Sequence, residues 1–185
     1  MITIFNEVIQ YLKYPVLKKE QNSNFLYRFR KLIDLLALSL ITTFTITFIT
    51  GFLELSGLLD TGKHSLKEIM KKSSTLKVTL LAVVVAPLIE ECIFRAPLIL
   101  FKNPKTFTIV FYSAALLFGY MHIFNYEINT NILLFSPILI APQIIIGLYL
   151  GFIRIRFGLL WSIALHALYN GFLLSLYLLT KNAIT

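Results

Sequence analysis

Five long stretches of the chain contain no aspartate, glutamate, lysine or arginine, and they constrain the fold more than any other feature of the sequence. They are residues 35–53, 78–89, 106–126, 128–153 and 157–180. About 20 apolar residues are enough for a helix to cross a bilayer, where backbone polar groups must be satisfied internally. The pattern therefore predicts an all-α protein, a polytopic bundle of membrane helices.

The boundaries of these stretches predict about five spanning helices, at residues 33–56, 76–101, 106–126, 130–153 and 157–180. Ahead of them, apolar residues recur at helical spacing between residues 2 and 12 without forming a continuous apolar run, which predicts a short amphipathic helix at the membrane interface. Pro15 should end that helix. We therefore divide the chain into an N-terminal amphipathic and basic segment, residues 1–31, and a membrane helix bundle, residues 32–185.

Composition excludes several other classes of protein. Apolar residues make up 57% of the chain and charged residues only 14%, yet the formal net charge is +8. In a soluble protein that charge would suggest a nucleic-acid partner, but here the charges lie between apolar stretches, and the expected partner is the lipid bilayer. The single cysteine, Cys92, excludes an intrachain disulfide and a multi-cysteine metal site.

Basic residues near the helix ends predict the orientation, because cytoplasmic loops are enriched in lysine and arginine. An N-terminus in the cytoplasm places ten of them on that side: Lys13, Lys18, Lys19, Arg28, Arg30, Lys31, Lys102, Lys105, Arg154 and Arg156. The other side receives six: Lys63, Lys67, Lys71, Lys72, Lys77 and Lys181. The count favours a cytoplasmic N-terminus.

Ionisable side chains inside spanning helices are costly and therefore indicate function. The predicted spans contain six notable polar residues: Glu90, Glu91, Arg95, His122, His166 and Asn170. Residues four apart share a helix face, so Arg95 can pair with Glu91, and His166 and Asn170 can face one target. With about 1.5 Å of rise per residue from the connectors at 102–105 and 154–156, Glu90, His122, His166 and Asn170 lie roughly 15–26 Å deep. We therefore expect one intramembrane cluster.

Such a cluster suits hydrolysis of a peptide bond. A carboxylate and an imidazole that face one water can take its proton, and an imidazole and an amide can donate hydrogen bonds to the oxyanion that forms when the water attacks a carbonyl. The cofactor stays open: the site needs none for this chemistry, whereas Glu90, His122 and His166 are a chemically plausible Zn²⁺ set. No HExxH motif supports zinc.

Three segments resemble the ordered motifs of one family. Glu90-Glu91-Cys92-Ile93-Phe94-Arg95 is similar to EExxxR, Phe118-Gly119-Tyr120-Met121-His122 to FxxxH, and His166-Ala167-Leu168-Tyr169-Asn170 to HxxxN. In this order they resemble the CAAX protease and bacteriocin-processing family, also called the Abi family, over about residues 78–175. The resemblance implies an intramembrane endopeptidase acting on a peptide or membrane-protein substrate in a bacterial or archaeal plasma membrane. One branch of the family removes the last three residues of prenylated CAAX proteins.

The resemblance also implies roles for the residues. Glu90 would activate water together with His122, and His166 and Asn170 would support the oxyanion. Glu91 and Arg95 would be a supporting pair that orients Glu90 or the substrate. Two other functions remain as alternatives: a non-catalytic membrane protein, such as a bacteriocin self-immunity factor or a scaffold, and a transporter suggested by intramembrane carboxylates alone.

Overall fold

The computed structural model describes residues 2–61 and 73–184, with side chains up to residue 180. All regular secondary structure in these ranges is helical, which confirms the predicted all-α class. Four helices in them are long and apolar enough to cross a membrane: Phe25–Leu55, Pro104–Asn125, Thr130–Phe157 and Leu159–Thr180. Five side chains counted in the orientation prediction lie outside the described residues: Lys63, Lys67, Lys71, Lys72 and Lys181.

The N-terminal half begins with α1 (Ile2–Lys13), which ends before Pro15 as predicted, and α2 (Phe25–Leu55). Asn24 caps α2, since its side chain accepts a hydrogen bond from the backbone N–H of Tyr27 at 3.0 Å. The helix thus begins well before residue 33, and the proposed division at residues 31 and 32 falls inside it. α2 begins earlier than predicted because the basic residues of its first turns belong to the helix, although they lie outside the apolar stretch.

The predicted span at 76–101 is not one continuous helix. It consists of α3 (Thr75–Leu80), a π-helix at Leu81–Val85, α4 (Ala86–Phe94) and, after Arg95, a 3-10 helix at Ala96–Leu100. Pro87 and Pro97 lie in the first turns of α4 and of the 3-10 helix, where the missing N–H is tolerated. This broken segment is not among the four apolar helices, and it contains Glu90, Glu91 and Arg95.

The C-terminal half contains α5 (Pro104–Met121), which continues as a 3-10 helix at His122–Asn125, then α6 (Thr130–Leu139), α7 (Ala141–Phe157) and α8 (Leu159–Ile184). α6 and α7 together form the predicted fourth span, interrupted at Ile140 between two prolines. Gly158 alone joins α7 to α8, with φ of +110°, a conformation that favours glycine. The two helices are therefore antiparallel neighbours.

The N-terminal segment packs on one end of the bundle. Ile4 and Val8 of α1 are fully buried in the main apolar core. Tyr112, midway along α5, donates a hydrogen bond to a backbone oxygen at the end of α1. Glu20 pairs with Arg156 at the end of α7, and its backbone N–H donates to the backbone oxygen of the same arginine at 2.9 Å. α1 is thus amphipathic as predicted, with one apolar face turned toward the protein.

The contact between α5 and α7 depends on a glycine. A Cβ atom added at Gly119 would lie 2.3 Å from Cγ1 and 3.1 Å from the backbone nitrogen of Ile144. We expect Gly119→Ala to lower the free energy of unfolding by about 1–3 kcal/mol, because the backbones must separate. Thermal unfolding in detergent measures this loss. Gly51→Ala is the matched control, since a Cβ there meets nothing within 4 Å; an equal loss in both variants would contradict the prediction.

Candidate active site

Glu91 is the centre of a buried polar cluster between α4 and α8. Its side chain has no exposed surface. Oε1 lies 3.3 Å from Nη1 of Arg95 and 3.0 Å from Nδ1 of His166, and Oε2 accepts a hydrogen bond from Ser162. A buried charge is tolerated when it is paired and hydrogen-bonded. This carboxylate is therefore placed to hold an arginine and an imidazole in fixed positions.

Arg95 is also buried, and it joins α4 to two other helices. Its guanidinium carbon lies 4.0 Å from the ring centroid of Phe118 on α5, a cation–π contact. Nη2 donates to the backbone oxygen of Gly147 on α7 at 3.4 Å. Nη1 has no hydrogen bond among the described residues, so its contact with Glu91 is an ion pair alone. Phe118 also lies against the imidazoles, with ring centroids 4.8 Å from His122 and 5.6 Å from His166.

Arg154 stabilises the turn after α4. Its Nε donates to the backbone oxygen of Arg95 at 3.1 Å, and Nη2 lies 3.5 Å from the backbone oxygen of Ala96. Carbonyl groups at a helix end have no donors within their own helix. The guanidinium of Arg154 donates to these carbonyl oxygens. Arg154 lies in the last turn of α7, among the basic residues near helix ends from which the orientation is predicted, and its side chain is buried with its donors used inside the protein.

Glu90 faces a different environment from Glu91. Its carboxylate lines a cavity of about 150 Å³, together with Phe94, Phe118, Met121, His122 and Asn125. Oε2 of Glu90 lies 3.7 Å from Nε2 of His166, too far for a direct hydrogen bond. This oxygen is buried and has no hydrogen-bond partner in the described part of the chain. A water molecule fills about 30 Å³ in the liquid, so the cavity has room for several waters or a peptide group.

His122 begins the 3-10 helix at the end of α5 and lines the same cavity. Its Nδ1 lies 2.7 Å from the backbone oxygen of Phe118. Because a carbonyl oxygen can only accept, this contact places the hydrogen of the neutral ring on Nδ1 and leaves a lone pair on Nε2. Glu90 and His122 are thus two proton acceptors around one cavity.

Asn170 does not line that cavity. Its Nδ2 donates to the backbone oxygen of Ala82 in the π-helix at 2.9 Å. This bond uses one of the two hydrogens of the amide NH₂ group. The structure brings five of the six predicted residues together, namely Glu90, Glu91, Arg95, His122 and His166, and Asn170 of α8 contacts the neighbouring π-helix instead.

Ser162 and Arg154 are not among the site residues predicted from the sequence. For Ser162 a signal was present, because it lies four residues before His166 and so shares a helix face with both His166 and Asn170. For Arg154 there was none, since its partners are backbone oxygens that only the folded chain brings near.

The Zn²⁺ set predicted as plausible from the sequence consists of Glu90, His122 and His166. Zinc binds three or four ligand atoms at about 2.0–2.3 Å around one point. Across residues 2–61 and 73–184, no group of three or more His, Cys, Asp or Glu side chains is placed to hold a metal ion. Both histidines have Nδ1 engaged, by Glu91 and by the backbone oxygen of Phe118, which leaves Nε2 of each ring as its only possible metal-binding atom. The proposed Zn²⁺ set does not fit as these side chains are placed.

The fold and this cluster define a helical integral membrane protein with an acid and imidazole centre inside the bundle. Residues 72–172 match the family model described as Type II CAAX prenyl endopeptidase Rce1-like, and with more than half of its length matched the chain belongs to this family. The matched region contains all three motifs, which confirms the family predicted from them. No curated protein and no solved structure matches the chain. The protein is thus a member of a membrane protease family.

Proposed function

We propose that the protein is an intramembrane endopeptidase in which Glu90 and His122 activate a water molecule for attack on a peptide bond. The observation that supports this most is the cavity that both residues line. Membership of a peptidase family supports the same reaction. The substrate is then a peptide segment, from a peptide or a membrane protein, that reaches this depth in the bilayer.

The proton balance of the reaction needs only these side chains. Glu90 takes one proton from the water as the water oxygen bonds to the carbonyl carbon, and Nε2 of His122 accepts a hydrogen bond from the other hydrogen. When the C–N bond breaks, Glu90 returns the proton to the leaving nitrogen. The enzyme ends the cycle in the protonation state in which it began.

His166 supports the oxyanion in this proposal. Glu91 lies 3.0 Å from Nδ1 and so keeps a hydrogen on that nitrogen. With that hydrogen alone Nε2 is an acceptor, so the proposal requires a second proton on the ring when the oxyanion forms; the Nε2–H then faces Glu90, 3.7 Å away, where negative charge develops on the substrate oxygen. Glu91, Arg95 and Ser162 act as positioning residues, because they contact His166 or one another and do not line the cavity.

Replacement of His122 tests the proposal. We expect His122→Ala to lower kcat about 10²- to 10³-fold, because the water loses one of its two acceptors. The natural protein and the variant are reconstituted in liposomes with a panel of membrane peptides, and new termini are identified by mass spectrometry. Met121→Ala is the control, since Met121 lines the same cavity without a titratable group. Cleavage by His122→Ala at the natural rate would exclude the proposed role.

A further inference from the structure

The π-helix at Leu81–Val85 contains a backbone oxygen that its own helix cannot satisfy. In an α-helix the oxygen of Ala82 would accept from the N–H of Ala86, and in a π-helix from the N–H of residue 87. The N–H of Ala86 is bonded instead to the oxygen of Leu81. Residue 87 is proline and has no N–H. The oxygen of Ala82 is therefore left without either helical donor.

Asn170 supplies the missing donor from α8. Its Nδ2 lies 2.9 Å from the oxygen of Ala82, and because that oxygen can only accept, the NH₂ end of the amide must face it. Inside a membrane no bulk water is present to satisfy an exposed carbonyl. Asn170 thus completes a backbone hydrogen bond that Pro87 makes impossible within the helix.

The π-helix determines the direction of the two catalytic-site carboxylates. One extra residue in a turn rotates the helix that follows by about 100° relative to regular α-helical winding. Glu90 and Glu91 lie in α4, directly after the π-helix. A return to α-helical hydrogen bonding would turn both carboxylates away from His166 and from the cavity.

We infer that Asn170 is a positioning residue: with one hydrogen of its amide it stabilises the π-helix by satisfying the carbonyl that Pro87 leaves free, and so keeps Glu90 and Glu91 directed at His166. Its effect on catalysis rests on the proposed function. Its coupling to Pro87 does not, because that coupling is a property of the folded chain.

The test compares Asn170→Ala in two backgrounds, the natural chain and Pro87→Ala, which restores an N–H that can reach the oxygen of Ala82. In the natural background we expect kcat, corrected for the folded fraction, to fall about tenfold or more, and the unfolding midpoint in detergent to fall by several degrees. In the Pro87→Ala background the same substitution should lower kcat by a clearly smaller factor and leave the midpoint nearly unchanged. Ser175→Ala is the control, since its hydroxyl bonds only within α8, to the oxygen of Gly171.

The outcomes separate this inference from the proposed function. Equal losses of midpoint in both backgrounds would overturn the coupling. An equal loss of kcat in both backgrounds, with the midpoint rescued, would show that Asn170 affects catalysis independently of the π-helix and would overturn its positioning role. If the protein has no Glu90-dependent activity, the proposed function fails, and the midpoints still decide the coupling. Pro87→Leu, which also restores the N–H, replaces Pro87→Ala if that variant does not fold.

Discussion

Glutamine in place of Glu90 is expected to abolish peptide cleavage and to leave the protein folded. Glutamine has nearly the same size, and Oε2 of Glu90 has no hydrogen bond among the described residues that the exchange could break. An amide cannot take a proton from water, so kcat should fall by at least about 10³-fold. The measurement is cleavage of a membrane peptide in liposomes, with the folded fraction of each preparation determined by its thermal unfolding.

Glu127→Gln is the matched control for this experiment. Glu127 is an exposed carboxylate just beyond the 3-10 helix that begins with His122, and it does not line the cavity. The Glu127→Gln variant should cleave at the natural rate. Full activity of Glu90→Gln would rule out Glu90 as the base. Absence of cleavage by the natural protein would instead favour the alternative of a non-catalytic protein, such as an immunity factor or a scaffold, that retains the cluster for stability.

Methionine in place of Arg95 is expected to destabilise the fold more than any other single change discussed. Arg95 is buried, and its removal leaves the fully buried carboxylate of Glu91 without its guanidinium partner. Removing one partner of a buried ion pair costs about 3–5 kcal/mol, a large part of the 5–15 kcal/mol that typically stabilises a native protein. The yield of folded protein and the unfolding midpoint in detergent measure the effect.

Lys31→Met provides the comparison, because it removes a cation from an ion pair that solvent can reach. Its partner Glu7 is 40% exposed, and such pairs contribute only about 0–1 kcal/mol. The double variant Glu91→Gln with Arg95→Met should be more stable than the sum of the single losses, because no buried charge is left unpaired. Equal losses for Arg95→Met and Lys31→Met would show that the buried pair has no special energetic role.

Much of the site could be predicted from the sequence because charge inside a membrane is so costly. Glu90, Glu91 and Arg95 stand out in an otherwise apolar segment, and the pairing of Glu91 with Arg95 follows from their spacing on one helix. The spans with uniformly apolar composition were also predictable, with errors where basic residues extend α2 toward its N-terminus. These are properties of single helices, which local sequence determines.

The remainder depends on backbone atoms that become available only in the folded chain. The partner of Asn170 is an oxygen freed by a π-helix, and the partners of Arg154 are oxygens at the end of α4. Neither the change of winding at Leu81 nor the break after Phe94 has a residue pattern that predicts it alone. Side chains that bond to such oxygens are therefore assigned wrongly when only side-chain partners are considered.

The position of the cavity along α5 has a consequence for the side of the membrane that it faces. The N-terminal segment contacts the first half of α5, at Thr108 and Tyr112, whereas the cavity lies toward its other end, beside Met121 and Asn125. Under the proposed function, the orientation adopted at insertion therefore determines which side of the membrane is nearer the cavity, and a chain inserted upside down would present it toward the opposite compartment.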